Sequence, residues 1–163
     1  MSDLPSLERQ LYDLLTGRRL TLATAESCTG GLVGHLITTV SGSSAYYLGG
    51  VIAYSNELKQ ALLGVPASIL ETRGAVSREC AEAMAQGIRE RTGADIGIST
   101  TGIAGPTGAT PTKPVGLVYL ACATPRGVIC EEYRFHGDRL TNIRLAAEAA
   151  LRLALREAAA LPQ

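Results

Sequence analysis

The sequence predicts a three-layer α/β/α sandwich around a mixed sheet. Helical and strand patterns alternate through the first hundred residues, which calls for parallel strands joined by crossover helices. Two further strand patterns then follow around a tight turn, which adds an antiparallel hairpin. No repeat, linker or low-complexity tract interrupts the pattern, so residues 1–163 are expected to form a single domain, a length sufficient for one apolar core without disulfide or metal staples.

The elements follow in order. Leu4, Leu7, Leu11 and Leu14 recur at helical spacing, predicting an amphipathic helix over 4–17 that ends at Gly17. LTLATA (20–25) reads as a strand, Thr29-Gly30-Gly31 as a turn and LVGHLITTV as a helix, with a loop over 41–44. YYLGGVIAY (46–54) is aromatic and β-branched, hence a strand. Ser55 or Asn56 can cap a short helix through Leu63, stopped by Gly64, and a second short helix follows Pro66. Ser77 caps a helix over 78–92 with Cys80, Ala81, Met84 and Ile88 on one face, closed by Thr92-Gly93. ADIGISTTG (94–102) is the next strand. The Gly/Pro-rich segment 102–116 fits no regular element, and a loop of this length in a compact domain is usually functional or disordered. LVYLACAT and VICEEYRF form the hairpin around Pro125-Arg126-Gly127, and 138–159 is a long Ala/Leu/Arg helix.

Composition narrows the function. Fifteen basic residues balance fifteen acidic ones, and no basic run exceeds Arg18-Arg19, which argues against a nucleic-acid surface. No apolar run reaches the ~20 residues of a membrane span. The polar, acidic start lacks the pattern of a secretory signal, so a cytoplasmic protein without a membrane partner is expected. Cys28, Cys80, Cys122 and Cys130 have no Cys-x-x-Cys spacing and are expected to be free thiols, with no metal site.

Three places could carry chemistry. TAESCTGG (24–31) leads from a strand into a helix, and its backbone N–H groups at the helix start suit an anion or a developing oxyanion. Taken alone, the stretch is better explained by Ser27 or Thr29 capping the helix with Gly30-Gly31 fitting the packing, by Glu26 as a solvated loop charge rather than a base, and by Cys28 as a small apolar residue rather than a nucleophile. The loop after Ser99-Thr100-Thr101 joins hydroxyls with unencumbered N–H groups, suited to phosphate or ribose. Thirteen of the fifteen basic residues are Arg; of the two lysines, Lys59 lies just after the strand residue Tyr54 and Lys113 in the Gly/Pro loop, and a desolvated lysine can act as a base where arginine cannot. Along the last helix, Leu140, Ile143, Ala147, Leu151 and Ala154 form one stripe that includes Arg144, which predicts a guanidinium turned inward towards an anion. Of the two histidines, His136 alone is placed for acid/base work.

TAESCTGG, GSS…GG (42–50), YSNELK (54–59), GAVS (74–77), the strand end with GIAGPTG (99–108), KPVG (113–116) and GDR (137–139) together resemble, in order and approximate spacing, the C-terminal domain of the CinA family, over roughly residues 5–158. The loop departs from the family pattern at Ala109. The resemblance implies a CinA C-terminal-domain-like fold in its stand-alone form. It also implies an amidase that hydrolyses the carboxamide of nicotinamide mononucleotide (NMN) to nicotinate mononucleotide and ammonia, without cofactor or metal. On the matching positions it makes Ser27 the nucleophile and Lys59 its activating partner. An arginine near GDR assists, and the inward stripe selects Arg144. Cys28, Thr29, Gly30, Gly31, Tyr54, Thr101, Gly102, Gly105 and Arg139 are the expected substrate contacts, and a homodimer or higher homo-oligomer is expected. Two other readings stand beside it: a hydrolase built on Cys28 with His136 as base, and a non-catalytic nucleotide-sensing or protein-binding module.

Overall fold

The computed structural model describes residues 4–163. Ser6 caps helix α1 (Leu7–Arg18) by accepting from the Arg9 N–H. The helix runs through Gly17 and ends instead at Arg19, which takes the left-handed conformation (φ 57°). The cause is tertiary: Leu20 packs against the core, and its N–H closes on the Leu15 carbonyl, so the chain must reverse one residue after the helix.

Strand β1 (Leu22–Glu26) leads into α2 (Leu32–Thr38), a 3₁₀ turn (Ser43–Ala45) and β2 (Tyr47–Ile52). Helices α3 (Asn56–Leu63), α4 (Ala67–Thr72) and α5 (Arg78–Thr92) follow, with Ser55 and Ser77 capping α3 and α5. Gly64 and Gly93 end those two helices, as expected. Strands β3 (Ile96–Gly102), β4 (Leu117–Thr124) and β5 (Gly127–Arg134) precede α6 (Arg139–Ala159), capped by Asp138. The sheet order is β2-β1-β3-β4-β5, with β2, β1 and β3 parallel and β3, β4 and β5 antiparallel, which is the mixed sheet predicted.

Period-two alternation divides the strands between two layers of helices. Leu22, Ile96, Ile98, Val118, Leu120 and Cys122 face α1, α2 and α6. Ala23, Ala25, Ala121 and Ala123 face α3, α4 and α5. The second face is lined by small residues, and α5 lies close upon it: Ser99 Oγ donates to the Ala81 carbonyl at 2.6 Å. Gly97 is required here, because a Cβ would collide with the backbone carbonyl of Ala85.

Helix α6 corrects one expectation. Its buried side holds Asn142, Ala146, Ala149, Ala150 and Leu153 as well as Ala147, Leu151 and Ala154, while Leu140 is 78% exposed. The apolar stripe is therefore rotated from the one drawn through Leu140 and Ile143. Arg144 falls outside it, in solvent, 3.4 Å from Glu148 one turn on. Alanine gives too little contrast between faces to centre the stripe from sequence.

Candidate active site

The crossovers from β1 to β2 and from β2 to β3 pass on opposite faces of the sheet, which opens a crevice at the carboxyl ends of these parallel strands. A cavity of about 200 Å³ lies there, lined by Ser27, Cys28, Tyr54, Lys59, Ala75, Val76, Thr101, Gly102, Ala104 and Arg139. Ser27 follows β1, Tyr54 follows β2, and Thr101-Gly102 ends β3.

Ser27 continues the β1–β3 ladder, its N–H meeting the Thr100 carbonyl at 3.0 Å, so its position is set by the sheet. Lys59 lies one turn into α3. Its side chain leans back towards the helix start, as helical side chains do, and Nζ reaches Ser27 Oγ at 3.0 Å. The same nitrogen donates to the Ala53 and Tyr54 carbonyls at 2.8 and 2.9 Å. Lys59 is 1% exposed, and burial lowers its pKa from the ordinary 10.5. No carboxylate is hydrogen-bonded or ion-paired with it among the described residues.

A neutral amine has two N–H bonds and one lone pair. With both N–H groups directed to Ala53 and Tyr54, the lone pair is left for the Ser27 hydroxyl. The arrangement can thus take a proton from Ser27 Oγ and activate it as a nucleophile.

Cys28 also lines the cavity, but burial pushes its thiol up to about 12, so the thiolate is scarce at neutral pH. His136 is exposed and does not line the cavity. Lys113 lies outside as well, donating to the Arg73 carbonyl at the mouth of a different cleft.

Arg139, at the start of α6, is the cation that reaches this cavity. Its guanidinium donates to the Gly105 carbonyl at 2.7 Å and to the Tyr54 hydroxyl at 3.4 Å, so it spans the opening between the 103–116 loop and the start of α3. Asn142 fixes that helix start: its amide donates to the Ala104 and Gly137 carbonyls and accepts from the Gly137 N–H. Thr101 lines the cavity with its hydroxyl already donated to the Ala75 carbonyl. Gly105 enters only through Arg139, and Thr29, Gly30 and Gly31 adjoin the lining residues Ser27 and Cys28 along the chain, with no side chain of theirs lining the cavity.

The turn itself corrects two further expectations. Glu26 is not a solvated loop charge; it is 3% exposed. Its Oε1 accepts from the Thr29 hydroxyl (2.6 Å) and the Gly31 and Val33 N–H groups, and its Oε2 accepts from the Gly34 N–H. Neither Ser27 nor Thr29 caps α2. Gly31 occupies the cap position at φ 104°, a conformation an L residue rarely adopts, and Glu26 supplies the acceptor from the preceding strand. With Gly30 N–H on the Ser27 carbonyl and Gly31 N–H on Glu26, the N–H groups of Cys28 and Thr29 are the two in the turn with no carbonyl or carboxylate acceptor among the described residues. Asn142, Ala75, Val76 and Ala104 were absent from the expected site; Ala75-Val76 lies within the GAVS segment and Ala104 within GIAGPTG, while a buried asparagine in an alanine-rich helix gave no signal.

The profile of the CinA C-terminal domain matches residues 4–158. A CinA-like protein from Salinibacter ruber is 50% identical over 151 residues, covering 93% of this chain and 37% of that protein. One from Chlorobaculum tepidum is 52% identical over 152 residues, covering 90% and 36%. The chain thus spans a little over a third of the length of these curated relatives. Among solved structures, a competence/damage-inducible protein from Agrobacterium tumefaciens superposes with a TM-score of 0.89 at 40% identity, covering 96% of this chain and 99% of that one. A CinA superfamily protein from Klebsiella pneumoniae superposes with a TM-score of 0.91 at 33% identity, covering 95% and 97%.

Proposed function

The chain belongs to the CinA C-terminal domain family, and from that premise we propose that it is a nicotinamide-nucleotide amidase, hydrolysing the carboxamide of NMN to nicotinate mononucleotide and ammonia. One observation carries the reading. A buried lysine whose N–H groups are occupied by two carbonyls faces a serine hydroxyl at 3.0 Å, at the floor of a cavity.

The proposed reaction begins with neutral Lys59 taking the Ser27 Oγ proton as the oxygen bonds to the carboxamide carbon. The carbonyl oxygen becomes an oxyanion, for which the Cys28 and Thr29 N–H groups are the available donors; preorganised donors of this kind contribute about 3 kcal/mol each. The C–N bond then breaks, Lys59 returns the proton to the departing nitrogen, and ammonia leaves a Ser27 acyl ester. Water, deprotonated by the same amine, attacks the ester; nicotinate mononucleotide leaves and Ser27 recovers its proton.

The cavity of about 200 Å³ is smaller than the roughly 300 Å³ at which drug-sized ligand sites begin. It suits the pyridine ring and its carboxamide, with ribose and phosphate in the mouth beside Arg139 and the 103–116 loop. Arg139, rather than Arg144, is the arginine assigned to the substrate.

The test is to incubate the protein with NMN and assay ammonia and nicotinate mononucleotide together. Ser27→Ala is expected to abolish both products, and Cys28→Ser to retain them. Hydrolysis surviving Ser27→Ala would overturn the mechanism. Nucleotide binding without ammonia release from the unaltered protein would favour a sensing module.

A further inference from the structure

We propose that Glu26 is a positioning residue for the nucleophile turn, acting through Thr29 and Thr100 on the backbone of Ser27 and clearing the turn for a single oxyanion site. The proposal rests on the amidase reading above.

Hydrogen-bond directions can be assigned along this chain. Both oxygens of Glu26 face donors: three N–H groups of the turn and α2, and the Thr29 hydroxyl at 2.6 Å. Thr29 gives its one proton to Glu26, so towards Thr100 Oγ1, 2.8 Å away, it can only accept. Thr100 therefore donates to Thr29, and its lone pair meets the Ser27 N–H at 3.3 Å. All donors point the same way, from Ser27 through two buried hydroxyls to Glu26, and aligned chains of this kind reinforce each bond. The Ser27 N–H also meets the Thr100 carbonyl, so Thr100 holds the residue before the turn by both its main chain and its side chain.

The second effect concerns the N–H groups. Gly31, Val33 and Gly34 would otherwise present a positive helix end beside the cavity. Glu26 accepts from all three. An anionic group of the substrate therefore gains nothing there, and the Cys28 and Thr29 N–H groups are left as the pair able to meet an acyl oxygen. Glu26 itself does not line the cavity and touches neither Ser27 Oγ nor Lys59 among its hydrogen bonds, so its influence on the reaction passes through the turn.

The experiment measures kcat and KM on NMN for the unaltered protein, Glu26→Gln, Thr100→Val and the double variant, with thermal unfolding and amide hydrogen exchange on each. Gln keeps the shape but turns one acceptor into a donor facing the turn. Expected are a fall in kcat of about 10- to 100-fold for Glu26→Gln, KM within about threefold, and a double variant no slower than Glu26→Gln alone, since the residues act as one chain. Exchange at Ser27, Gly31, Val33 and Gly34 should quicken. A folded Glu26→Gln with unaltered kcat, or strictly additive losses, would overturn the proposal. If Glu26→Gln does not fold, Thr29→Val, which cuts the chain while leaving the three N–H contacts, decides it: unaltered kcat overturns, a lowered kcat at constant KM supports. Absence of ammonia release from the unaltered protein would sink the amidase reading instead, and the exchange rates at Ser27 would then decide the positioning role alone.

Discussion

A lysine held between two carbonyls and a hydroxyl, with no carboxylate bonded to it, is costly to keep charged, and its titration should govern both rate and stability. Because burial lowers the Lys59 pKa from 10.5, kcat/KM is expected to rise with pH to a plateau reached below the ordinary lysine range. Stability follows the same sign. Between the folded and unfolded pKa values the unfolded chain binds more protons, so unfolding free energy increases with pH across that window and levels off above 10.5. Lys59→Met should abolish turnover, leave NMN binding in place and remove this slope; denaturation at several pH values, taken as the difference between the two proteins, measures it. Arginine gives a second contrast. Arg144→Ala is expected to change kcat/KM by less than about twofold, and Arg139→Ala to lower it about 10- to 100-fold; steady-state kinetics on the two variants decide between them. Ser27 and Lys59 were legible as chemical types in the sequence and were paired by family resemblance. Glu26 was not legible, because a carboxylate that caps a helix from the preceding strand has no local pattern to mark it.

Among the elements, α5 shows how packing on the far face supports the site. Small residues on β1, β3 and β4 let this helix lie close to the sheet, and the segment before it supplies Ala75 and Val76 to the cavity wall. Gly97→Ala would push the Ala85 carbonyl away. It should destabilise the protein by about 2–3 kcal/mol, read from urea unfolding, and should raise KM if α5 carries Ala75 and Val76 outward with it. The boundaries of α3 and α5 were readable because Ser caps and Gly stops act locally. The end of α1 was not, since Leu20 and the core behind it chose Arg19 over Gly17 as the left-handed residue.

At the scale of the whole molecule, the described residues contain no group of three or more His, Cys, Asp or Glu able to hold a metal ion, and no helix long and apolar enough to cross a membrane. The serine–lysine chemistry proposed here uses only side chains, backbone N–H groups and water, so dialysis against a chelator should leave the rate of ammonia release unchanged, and a rate restored by added divalent cation would contradict it. By itself the sequence determined the layered α/β/α plan, the mixed sheet and most element boundaries, because periodicity, caps and turn residues report forces acting within a few positions of each other. It also supplied a serine, a lysine and a glycine-rich turn as candidates. Tertiary structure alone decided that Lys59 Nζ meets Ser27 Oγ, that Arg139 spans the cavity while Arg144 faces water, and that Glu26 turns inward. The first two depend on distances between residues far apart in the chain, fixed by strand register and by how an alanine-rich helix rotates against the sheet; Glu26 bonds only three to eight residues on, but through a turn that neither periodicity nor a cap pattern marks.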